Sequence, residues 1–515
     1  MKTLKIGILP VLLTIAIAAQ ADKSYLDPRL VRDLTIGEPQ LLIDDYWIDN
    51  RFNEDQISAS VPHVLKHGDR LDQPVLRKGK DHPWEEHGIG YISVMFDSKD
   101  QKFRLYYQIW NPRNEDPKAP RGGYRTCYAE SEDGIHWVQP LFDFEPWGDI
   151  EKTNILMSGK GEAKAPHIMP RVESGTTKQG VPVKNLGLLP DEVFHGNDYL
   201  VFYCDHEHYL ATSEDGLDWN ESQSMVIPNR VDCFQSVVYD PDAEEYAIYY
   251  RNKLINEDRP KDNPARGNTR YMSRLSGKDL WSLWDQLPIP VMIPDGEDDG
   301  RFYNMPVFRY GGVYLGFVSQ FAVEPQSIDV ELVYSRDGFD WHRLPGERRI
   351  IPLGPDGAWD DGMVFSADRI LEVGDEWWLY YTGHDGFHDS DNREGALGLI
   401  KFGKERLVSI QADETGKESF VITRPILWPG GDLVANCDAE GGSLTVAITD
   451  PWREPYEGFE FENCVPLKGD EVRHRVMWKD ADMDSLKGKY VRLEFRFQDA
   501  DLYAFLASTE ETAYE

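Results

Sequence analysis

The sequence predicts an all-β protein, a five-bladed β-propeller followed by a small C-terminal β-sandwich. Two observations carry this prediction. Strand-like runs rich in aromatic and β-branched residues recur in five units, and one seven-residue phrase returns almost unchanged in three of them. Units of about four short antiparallel strands, repeated radially, are typical of propellers. Segments with helical periodicity are almost absent, so an all-β class follows.

The middle strand of each unit is its clearest element. The five runs are FRLYYQIW (103–110), YLVFYCD (199–205), YAIYYRN (246–252), VYLGFVSQF (313–321) and WWLYYTG (377–383). Each run follows a polar turn, as expected of antiparallel strands joined by short connections. In four units another strand-like run precedes that turn, whereas the second unit has only a short DEVF.

The repeated phrase has the pattern SxDGxxW. It reads SEDGIHW at 131–137, SEDGLDW at 213–219 and SRDGFDW at 335–341, and a degenerate copy stands at 276–284. Asp and Gly at these positions indicate a tight turn, and we expect the Trp to anchor the hairpin against a neighbouring strand. The phrase therefore identifies repeating units, and the chemistry is expected elsewhere.

The segments outside the repeats complete the predicted organisation. Two lysines, an apolar run (6–18) and Ala19-Gln20-Ala21 indicate a cleavable secretory signal over 1–21, which implies a periplasmic or secreted protein. A Pro-rich segment over 22–81 is expected to pack on the propeller at 82–424. In 425–515 the run YVRLEFRF (490–497) alternates apolar and charged residues, which is typical of a half-buried strand in a sandwich.

Charge and cysteine content limit the function classes. The net charge of −35 disfavours a nucleic-acid partner, because phosphate binding needs a basic surface. No segment after the signal is long and apolar enough to be inserted in a membrane. The five cysteines show no C-x-x-C spacing, so neither zinc nor redox chemistry is indicated. Cys437 and Cys464 could pair or remain free.

Ligands are expected where the innermost strands of a propeller begin around the central axis, and carboxylates recur just before those strands. Converging carboxylates suit glycoside hydrolysis, in which one acid protonates the leaving oxygen and another acts as nucleophile or base. An alternative reading is that these residues simply make turns. The candidate catalytic residues, the first two favoured, are Glu85, Asp232, Asp299, Asp361 and Asp191.

Aromatic and basic residues near the same strands are candidates for substrate binding. Aromatic rings could stack on a sugar or belong to the core, and the arginines could orient a carboxylate or hold an anionic substrate group. The candidates are Trp84, Arg125, Arg251, Tyr303, Trp359 and His384. His388 joins His384 as a possible pair at the mouth. No cofactor is indicated, although a structural Ca²⁺ held by Asp385, Asp389 and Asp391 is an open alternative.

These residues together resemble a known superfamily. The five units, the SxDGxxW hairpins and the trailing sandwich are similar to the five-bladed β-propeller glycoside hydrolases of families 32, 43 and 68. The stretches LLIDDYWID, PWEEHGIGY, DCFQSVVYDP and LYAFL look like secreted relatives of the family 32 group. The resemblance implies an Asp nucleophile or base in the first blade, a tuning Asp and a Glu acid. This chain has Glu85 at the first-blade position and lacks the W-M-N-D-P-N-G start motif.

The sequence therefore predicts a secreted glycoside hydrolase that cleaves a poly- or oligosaccharide by a carboxylate acid/base mechanism in the propeller pocket. Two alternatives stay open. One is a carbohydrate-binding propeller without catalysis, and the other is a scaffold whose propeller face binds a protein. A facing pair of carboxyl groups across the pocket would favour the enzyme.

Overall fold

The computed structural model describes residues 26, 28–49, 62–111, 123–158, 163–205, 207–219, 235–254, 269–295, 298, 301–390, 393–411 and 418–509. The described chain is nearly all β, as predicted, and its helical elements are short 3-10 turns. These are Pro28–Leu30, Pro83–Glu85, Asp191–Phe194, Leu280–Asp285 and Met483–Leu486. None of the helices in this described part has the length and apolar character needed to cross a bilayer.

The chain divides into two compact units, Leu65–Leu407 and the two terminal segments Met1–Val64 and Val408–Glu515. This division differs from the predicted boundaries at 81 and 424. The N-terminal segment 22–81 is divided between the units: its strand Gln40–Leu41 pairs with Asp501–Ser508, whereas its strand Asp69–Arg70 pairs with Gly395–Gly403 of the larger unit. Pairing between strands distant in sequence is set by tertiary structure, so the local pattern did not place this boundary.

The larger unit contains, among its described residues, four sheets, and we number its strands in five successive groups, of which the fourth and fifth belong to one twelve-stranded sheet. The first group comprises Ile92–Asp97, Lys102–Asn111, Gly123–Ser131, Trp137–Val138 and Ile155–Met157, and the second comprises Lys164–Pro170, Tyr199–Asp205 and Glu207–Ser213. The third group comprises Gln235–Asp240, Glu245–Leu254, Thr269–Gly277 and Ile289–Met292, and the fourth comprises Val307–Tyr310, Val313–Phe321, Ile328–Ser335, His342–Arg343 and Arg349–Ile351. The fifth group comprises Met363–Ser366, Leu371–Val373, Glu376–His384, Gly395–Gly403 and Asp69–Arg70. A hairpin of Ser174–Thr176 and Pro182–Asn185 adds to the fifth group by pairing with Leu371–Val373.

Hydrogen bonds and β-bridges link each group to the next. The links are Ile168 N to Ser93 Oγ (2.9 Å), Val237 N to His167 Nε2 (3.4 Å), Val307 N to Ser236 Oγ (3.0 Å), the parallel bridge between Ile328 and Met363, and Ser93 Oγ to Asp368 Oδ2 (2.6 Å). The fifth group thus contacts the first. Ser93, His167 and Asp368 are almost completely buried, and His167 Nδ1 lies 2.9 Å from Asp368 Oδ2.

The three SxDGxxW hairpins share one construction. In the first, Gly134 N donates to Ser131 Oγ (2.9 Å), and Asp133 Oδ1 accepts from the backbone N–H groups of Ile135 and His136. The carbonyl oxygen of Gly134 accepts a hydrogen bond from the Tyr380 hydroxyl (2.8 Å), which belongs to the fifth group. The hairpin therefore joins two neighbouring strand groups.

The other two copies repeat this contact with their own neighbours. Tyr106 OH donates to Gly216 O (3.0 Å), and Tyr249 OH donates to Gly338 O (2.9 Å). In each case the phrase's Trp packs edge-on against the same tyrosine, as Trp341 does against Tyr249 with ring centroids 5.6 Å apart. The Trp thus contacts a neighbouring strand, and that strand lies in the adjacent group.

The second unit is built on a ten-stranded sheet. Its strands are Arg32–Asp33, Gln40–Leu41, His63–Leu65, Val408–Gln411, Ser419–Ile422, Ile426–Leu427, Asp432–Thr449, Leu467–Arg475, Tyr490–Gln498 and Asp501–Ser508. Val491, Leu493, Phe495 and Phe497 are buried as predicted.

The charged face of this strand departs from the prediction that it meets water. Arg492 is 2% exposed and donates to Asp49 Oδ2 (2.9 Å), and Glu494 is 5% exposed and accepts from Thr449 and Arg453. Ion pairing with residues distant in sequence makes this burial possible. Cys437 and Cys464 are buried and form no disulfide with each other, which answers the alternative left open by the sequence.

Candidate functional site

A cavity of about 110 Å³ opens beside the first strands of the larger unit. Its described lining combines aromatic rings with basic and amide side chains. The lining residues are His87, Gly88, Gly90, Tyr91, Gln108, Trp110, Tyr124, Lys164, Tyr303, Met363, Phe365, His384, His388 and Arg393. Among these described residues there is no Asp or Glu.

One part of the lining is formed by a cross-strand pair of aromatic residues. Trp110 ends one strand of the first group, Tyr124 begins the next, and the two are paired in register. The Arg393 guanidinium lies 5.8 Å from the Trp110 ring centroid, and the Lys164 ammonium lies 4.9 Å from that of Tyr124. His87 packs on Trp110 with centroids 4.7 Å apart. Two cations are therefore held against adjacent rings.

A hydrogen-bonded chain of three side chains forms another part of the site. The Tyr303 hydroxyl lies 2.7 Å from His388 Nε2, and His388 Nδ1 lies 2.7 Å from Asp389 Oδ1. A carboxylate can only accept, so Nδ1 carries the proton of the neutral imidazole and Nε2 accepts from the phenol. This arrangement resembles the nucleophile–base–orienting group pattern of acid/base catalysts.

The electrostatic surroundings keep both cavity histidines neutral. Burial lowers the pKa of His388, and Arg393 and Arg270 lower it further, whereas Asp389 opposes the shift. Burial, with Arg393 and His388, lowers the pKa of His384 to about 3. Neutral imidazoles can both donate and accept a hydrogen bond, so His388 is able to take a proton from Tyr303.

Tyr303 and His384 line the cavity, their contact with a substrate stays a prediction, and Arg251 supports Tyr303 from behind. Arg251 is fully buried, its Nη1 donates to the Tyr303 backbone oxygen (3.3 Å), and its guanidinium lies 4.6 Å from the Tyr303 ring centroid. The Arg270 guanidinium lies 5.1 Å from the same ring. Both guanidinium groups therefore lie within cation–π distance of the Tyr303 ring.

Glu85, the favoured catalytic residue, does not line the cavity. It is completely buried and accepts hydrogen bonds from Tyr107 OH (2.5 Å), Asn154 Nδ2 (3.0 Å), Gln139 Nε2 (3.1 Å) and Gly79 N (2.7 Å). Burial alone raises its pKa, but these bonds together with His82 outweigh burial and lower it. Glu85 is therefore a buried carboxylate held by several hydrogen-bond donors away from the cavity, and its catalytic role stays a prediction.

Three predicted substrate-binding residues also have structural surroundings. Trp84 is 1% exposed in the core and donates its Nε1–H to Asn154 Oδ1 (2.8 Å). Trp359 stacks on Tyr381 with centroids 5.6 Å apart. Arg125 lies 5.1 Å from the Trp147 ring. None of the three lines the cavity, so their predicted contact with a sugar is not supported.

The remaining predicted carboxylates fall into two sets. The Asp191 side chain is 78% exposed on a 3-10 turn near Arg171, and Asp361 Oδ2 accepts from Gly357 N (2.6 Å); neither lines the cavity. Asp232 and Asp299 lie outside the described residues, so their catalytic role stays a prediction.

The calcium alternative finds no support in the described residues. Asp385 Oδ1 accepts from Glu394 N (2.8 Å), whereas Asp389 bonds His388, and Asp391 lies outside the described residues. No group of three or more His, Cys, Asp or Glu that could hold a metal ion occurs in the part of the chain that the structure describes.

Sequence reasoning missed much of the cavity lining, notably Trp110, Tyr124, Lys164 and Arg393. One available signal was strand direction. Consecutive antiparallel strands end and begin at the same edge of a sheet, so Trp110 and Tyr124 were predictable neighbours of the first-strand starts.

No family model matches the chain, and no curated protein matches it. Solved structures do match. A structure titled "Glycoside hydrolase" is 14% identical, with a TM-score of 0.41, over 69% of this chain and 96% of the other. One titled as a study of GH130 mannoside phosphorylases and glycoside hydrolases acting on β-1,2 mannosidic linkages in Candida mannan is 16% identical, with a TM-score of 0.43, over 66% and 94%.

The catalytic domain of the Coprinopsis cinerea GH62 α-L-arabinofuranosidase is 13% identical, with a TM-score of 0.40, over 65% of this chain and 97% of that chain. With TM-scores below 0.5, these likenesses carry no argument about this chain. Its function has to be argued from its own residues.

Proposed function

We propose that this chain hydrolyses glycosidic bonds of a poly- or oligosaccharide bound in the cavity lined by Trp110, Tyr124 and Tyr303. The observation that carries the proposal is the Tyr303–His388–Asp389 chain within an aromatic-lined cavity. Aromatic faces with a few placed polar groups suit a sugar, which presents apolar C–H faces and hydroxyl edges.

The chemistry proposed for the described residues is proton transfer at the Tyr303 oxygen. Neutral His388 accepts the Tyr303 proton at Nε2, Asp389 stabilises the imidazolium that forms, and Arg251 and Arg270 stabilise the phenolate. The Tyr303 phenolate then takes a proton from the attacking water, whose oxygen bonds to the anomeric carbon as the glycosidic C–O bond breaks. The Tyr303 hydroxyl gives that proton to the leaving oxygen and regains its own from His388. The carboxylate roles predicted from sequence remain proposed for Asp232 and Asp299.

The architecture proposed around this site is a five-bladed propeller, with a β-sandwich in the second unit. Its support is the set of hydrogen bonds and bridges that connect the five strand groups in cyclic order, including Ser93 to Asp368 between the first and the fifth. The proposal further includes kinship with glycoside hydrolase families 32, 43 and 68 and secretion through a cleaved signal over 1–21.

A second candidate function is carbohydrate binding without catalysis. The absence of Asp and Glu among the described lining residues favours it, because carboxylates perform the catalysis in most glycosidases. Under this reading Tyr303 and His388 hold sugar hydroxyls by hydrogen bonds and transfer no proton.

One experiment separates the two functions. The purified protein is incubated with a panel of plant and bacterial polysaccharides, and released reducing ends are measured for wild type, Tyr303→Phe and a control, Tyr490→Phe, whose exposed ring lies in the second unit. Hydrolysis that falls roughly 100-fold or more in Tyr303→Phe alone supports the proposal. Binding without any release of reducing ends by wild type supports the binding module instead.

A further inference from the structure

We infer that Gln326 is a positioning residue for the proposed reaction, because it holds the segment that carries His388 and Asp389 beside Tyr303. Its backbone oxygen accepts a hydrogen bond from His388 N (3.1 Å), and its Oε1 accepts one from Asp389 N (3.1 Å). This inference rests on the proposed function, since the step that Gln326 serves is proton transfer through the Tyr303–His388–Asp389 chain. Gln326 is not among the described residues that line the cavity, so it acts through its neighbours.

The two hydrogen bonds fix the backbone from which both partner side chains project. His388 and Asp389 are consecutive residues, and the backbone N–H of each has Gln326 as its acceptor. From that backbone the His388 ring lies 2.7 Å from the Tyr303 hydroxyl at Nε2 and 2.7 Å from Asp389 Oδ1 at Nδ1. A hydrogen bond weakens steeply when its angle departs from the optimum. Loss of the side-chain bond from Gln326 should therefore disturb both contacts of the imidazole.

Gln326 presents both acceptors to the same segment in a left-handed backbone conformation. Its φ is +77°, which is uncommon for residues other than glycine. A glycine would adopt this conformation without steric cost, but it would lack the carboxamide that bonds Asp389. Strained backbone of this kind clusters at functional sites, where the surrounding structure enforces it. The presence of Gln at this position therefore favours a role for its side chain.

Packing by the same hairpin reinforces the two hydrogen bonds. Gln326 lies in the turn that follows the strand Val313–Phe321. The ring of Phe321 contacts both members of the proton-transfer pair, with its centroid 6.0 Å from that of Tyr303 and 5.2 Å from that of His388. The end of this hairpin therefore contacts His388 twice, at the ring through Phe321 and at the backbone through Gln326.

The first measurement is ¹⁵N NMR of the full histidine-labelled chain, which reports on the imidazole without any substrate. Gln326→Met removes the acceptor of Asp389 N–H at nearly the same side-chain length, and Gln326→Glu keeps an acceptor oxygen there. Gln101→Met is the matched control, since Gln101 also has a positive φ (+54°) but is exposed in a turn outside the described cavity lining. The His388 Nε2 resonance should shift in Gln326→Met toward its position in Tyr303→Phe, and in neither other variant.

The second measurement is hydrolysis of a polysaccharide panel that contains inulin, arabinan, xylan and mannan, followed by released reducing ends. A misplaced base slows the chemical step and spares substrate binding, so kcat should fall about tenfold in Gln326→Met while KM stays within about twofold. Gln326→Glu and Gln101→Met should keep most of the wild-type kcat. In a Tyr303→Phe background, Gln326→Met should cause no further fall, because both substitutions then affect the same step. Thermal unfolding verifies that each variant is folded.

The outcomes separate the inference from the proposed function. Hydrolysis by wild type with an unchanged kcat in Gln326→Met overturns the inference and leaves the proposed function standing. An equal loss of kcat in Gln101→Met, or an undiminished further loss in the Tyr303→Phe background, also overturns the inference, because Gln326 then does not act through Tyr303 and His388. Absence of hydrolysis by wild type across the whole panel overturns both.

Discussion

The Tyr106 hydroxyl donates a hydrogen bond to the Gly216 carbonyl oxygen at 3.0 Å, and so joins the first strand group of the larger unit to the second. The same contact recurs from Tyr380 to Gly134 and from Tyr249 to Gly338. The SxDGxxW phrase is therefore a device for joining sheets, in which a glycine carbonyl and a Trp ring both meet one tyrosine. This explains why it lies away from the cavity.

We expect Gly216→Ala to lower the free energy of unfolding by more than the backbone strain of the substitution alone. Gly216 has φ +75°, and a Cβ there would lie 2.7 Å from both Tyr106 OH and Arg104 Nη1. Gly196→Ala is the matched control, since its φ is +84° with nothing within 4 Å of the added Cβ. The backbone conformation costs about 1–2 kcal/mol in each variant. Urea unfolding should show a larger loss in Gly216→Ala, and equal losses would contradict the contact.

Removal of the joining hydroxyl should lower stability most in the second hairpin. Tyr106→Phe, Tyr249→Phe and Tyr380→Phe each remove a phenol donor from a glycine carbonyl, but Gly134 O and Gly338 O also accept from the indoles of Trp137 and Trp341. A buried acceptor without a partner costs roughly 1–3 kcal/mol. The free energy of unfolding should therefore fall most in Tyr106→Phe and less in the other two variants, whereas Tyr490→Phe, whose ring is 43% exposed, should change little. A wild-type value for all three buried variants would show that these bonds contribute nothing to stability.

The hairpin aspartates should make stability depend on acid pH. Burial alone raises the pKa of Asp337, but hydrogen bonds from the backbone of Asp340 and Phe339 and from Ser335 outweigh burial and lower it. A carboxyl whose folded-state pKa is depressed stabilises the fold above its unfolded value near 3.8, and that contribution is lost as pH falls through the folded pKa.

The measurement compares Asp337→Asn with wild type by urea unfolding between pH 6 and pH 3. The variant should be less stable at pH 6, and the difference should shrink as the pH falls below about 4. Asp340→Asn is the control. Asp340 is an exposed residue of the same hairpin, and it bonds Asp337 through its backbone N–H. A difference that stays constant with pH would assign the effect to packing and not to charge.

Glu85→Gln should reduce stability and spare the chemistry. The buried carboxylate accepts from Tyr107, Asn154, Gln139 and Gly79. An amide would point donor hydrogens at some of these donors, at a cost of roughly 1–3 kcal/mol for each buried polar group left unpaired. A fall in the midpoint of thermal unfolding with unchanged kcat for the folded fraction is expected. A large loss of kcat in a variant of wild-type stability would return Glu85 to the active site.

The strand runs were predictable from sequence because aromatic and β-branched patterning is local. The SxDGxxW hairpins were recognisable for the same reason, since Ser131, Asp133 and Gly134 bond one another within four positions. The site was less predictable. Glu85 has the residue type and position of a catalytic group, but its partners Gln139 and Asn154 lie more than fifty positions away. Sequence adjacency to a strand start could not distinguish burial from exposure.

The same limit applies to the cationic part of the cavity. Arg393 meets Trp110 only because the fifth strand group contacts the first, where Gly395 bridges Gly88. The lysine at 164 and the ring at 124 are likewise brought together by the contact between the first and second groups. Such pairs depend on the closure of the whole unit, which local patterns do not report.

Proton transfer through the Tyr303–His388–Asp389 chain requires a neutral His388 imidazole with its proton on Nδ1. Burial is the main reason that the pKa of His388 lies below the usual 6.5, Asp389 raises it, and Arg393 lowers it. Asp389→Asn removes a favourable partner of the cation, so the pKa should fall further. Arg393→Gln removes a repulsive neighbour, so the pKa should rise.

The measurement is ¹⁵N NMR of histidine-labelled protein across pH 4 to 8, with the resonances assigned by loss of signal in His388→Gln. Wild type should show a protonated Nδ1 and an unprotonated Nε2 at neutral pH. Tyr303→Phe, which removes the donor to Nε2, should shift that nitrogen's resonance and leave the pKa order of the two charge variants intact. An imidazole protonated on Nε2 in wild type, or shifts of the same sign in Asp389→Asn and Arg393→Gln, would show that the carboxylate does not orient His388 toward the phenol.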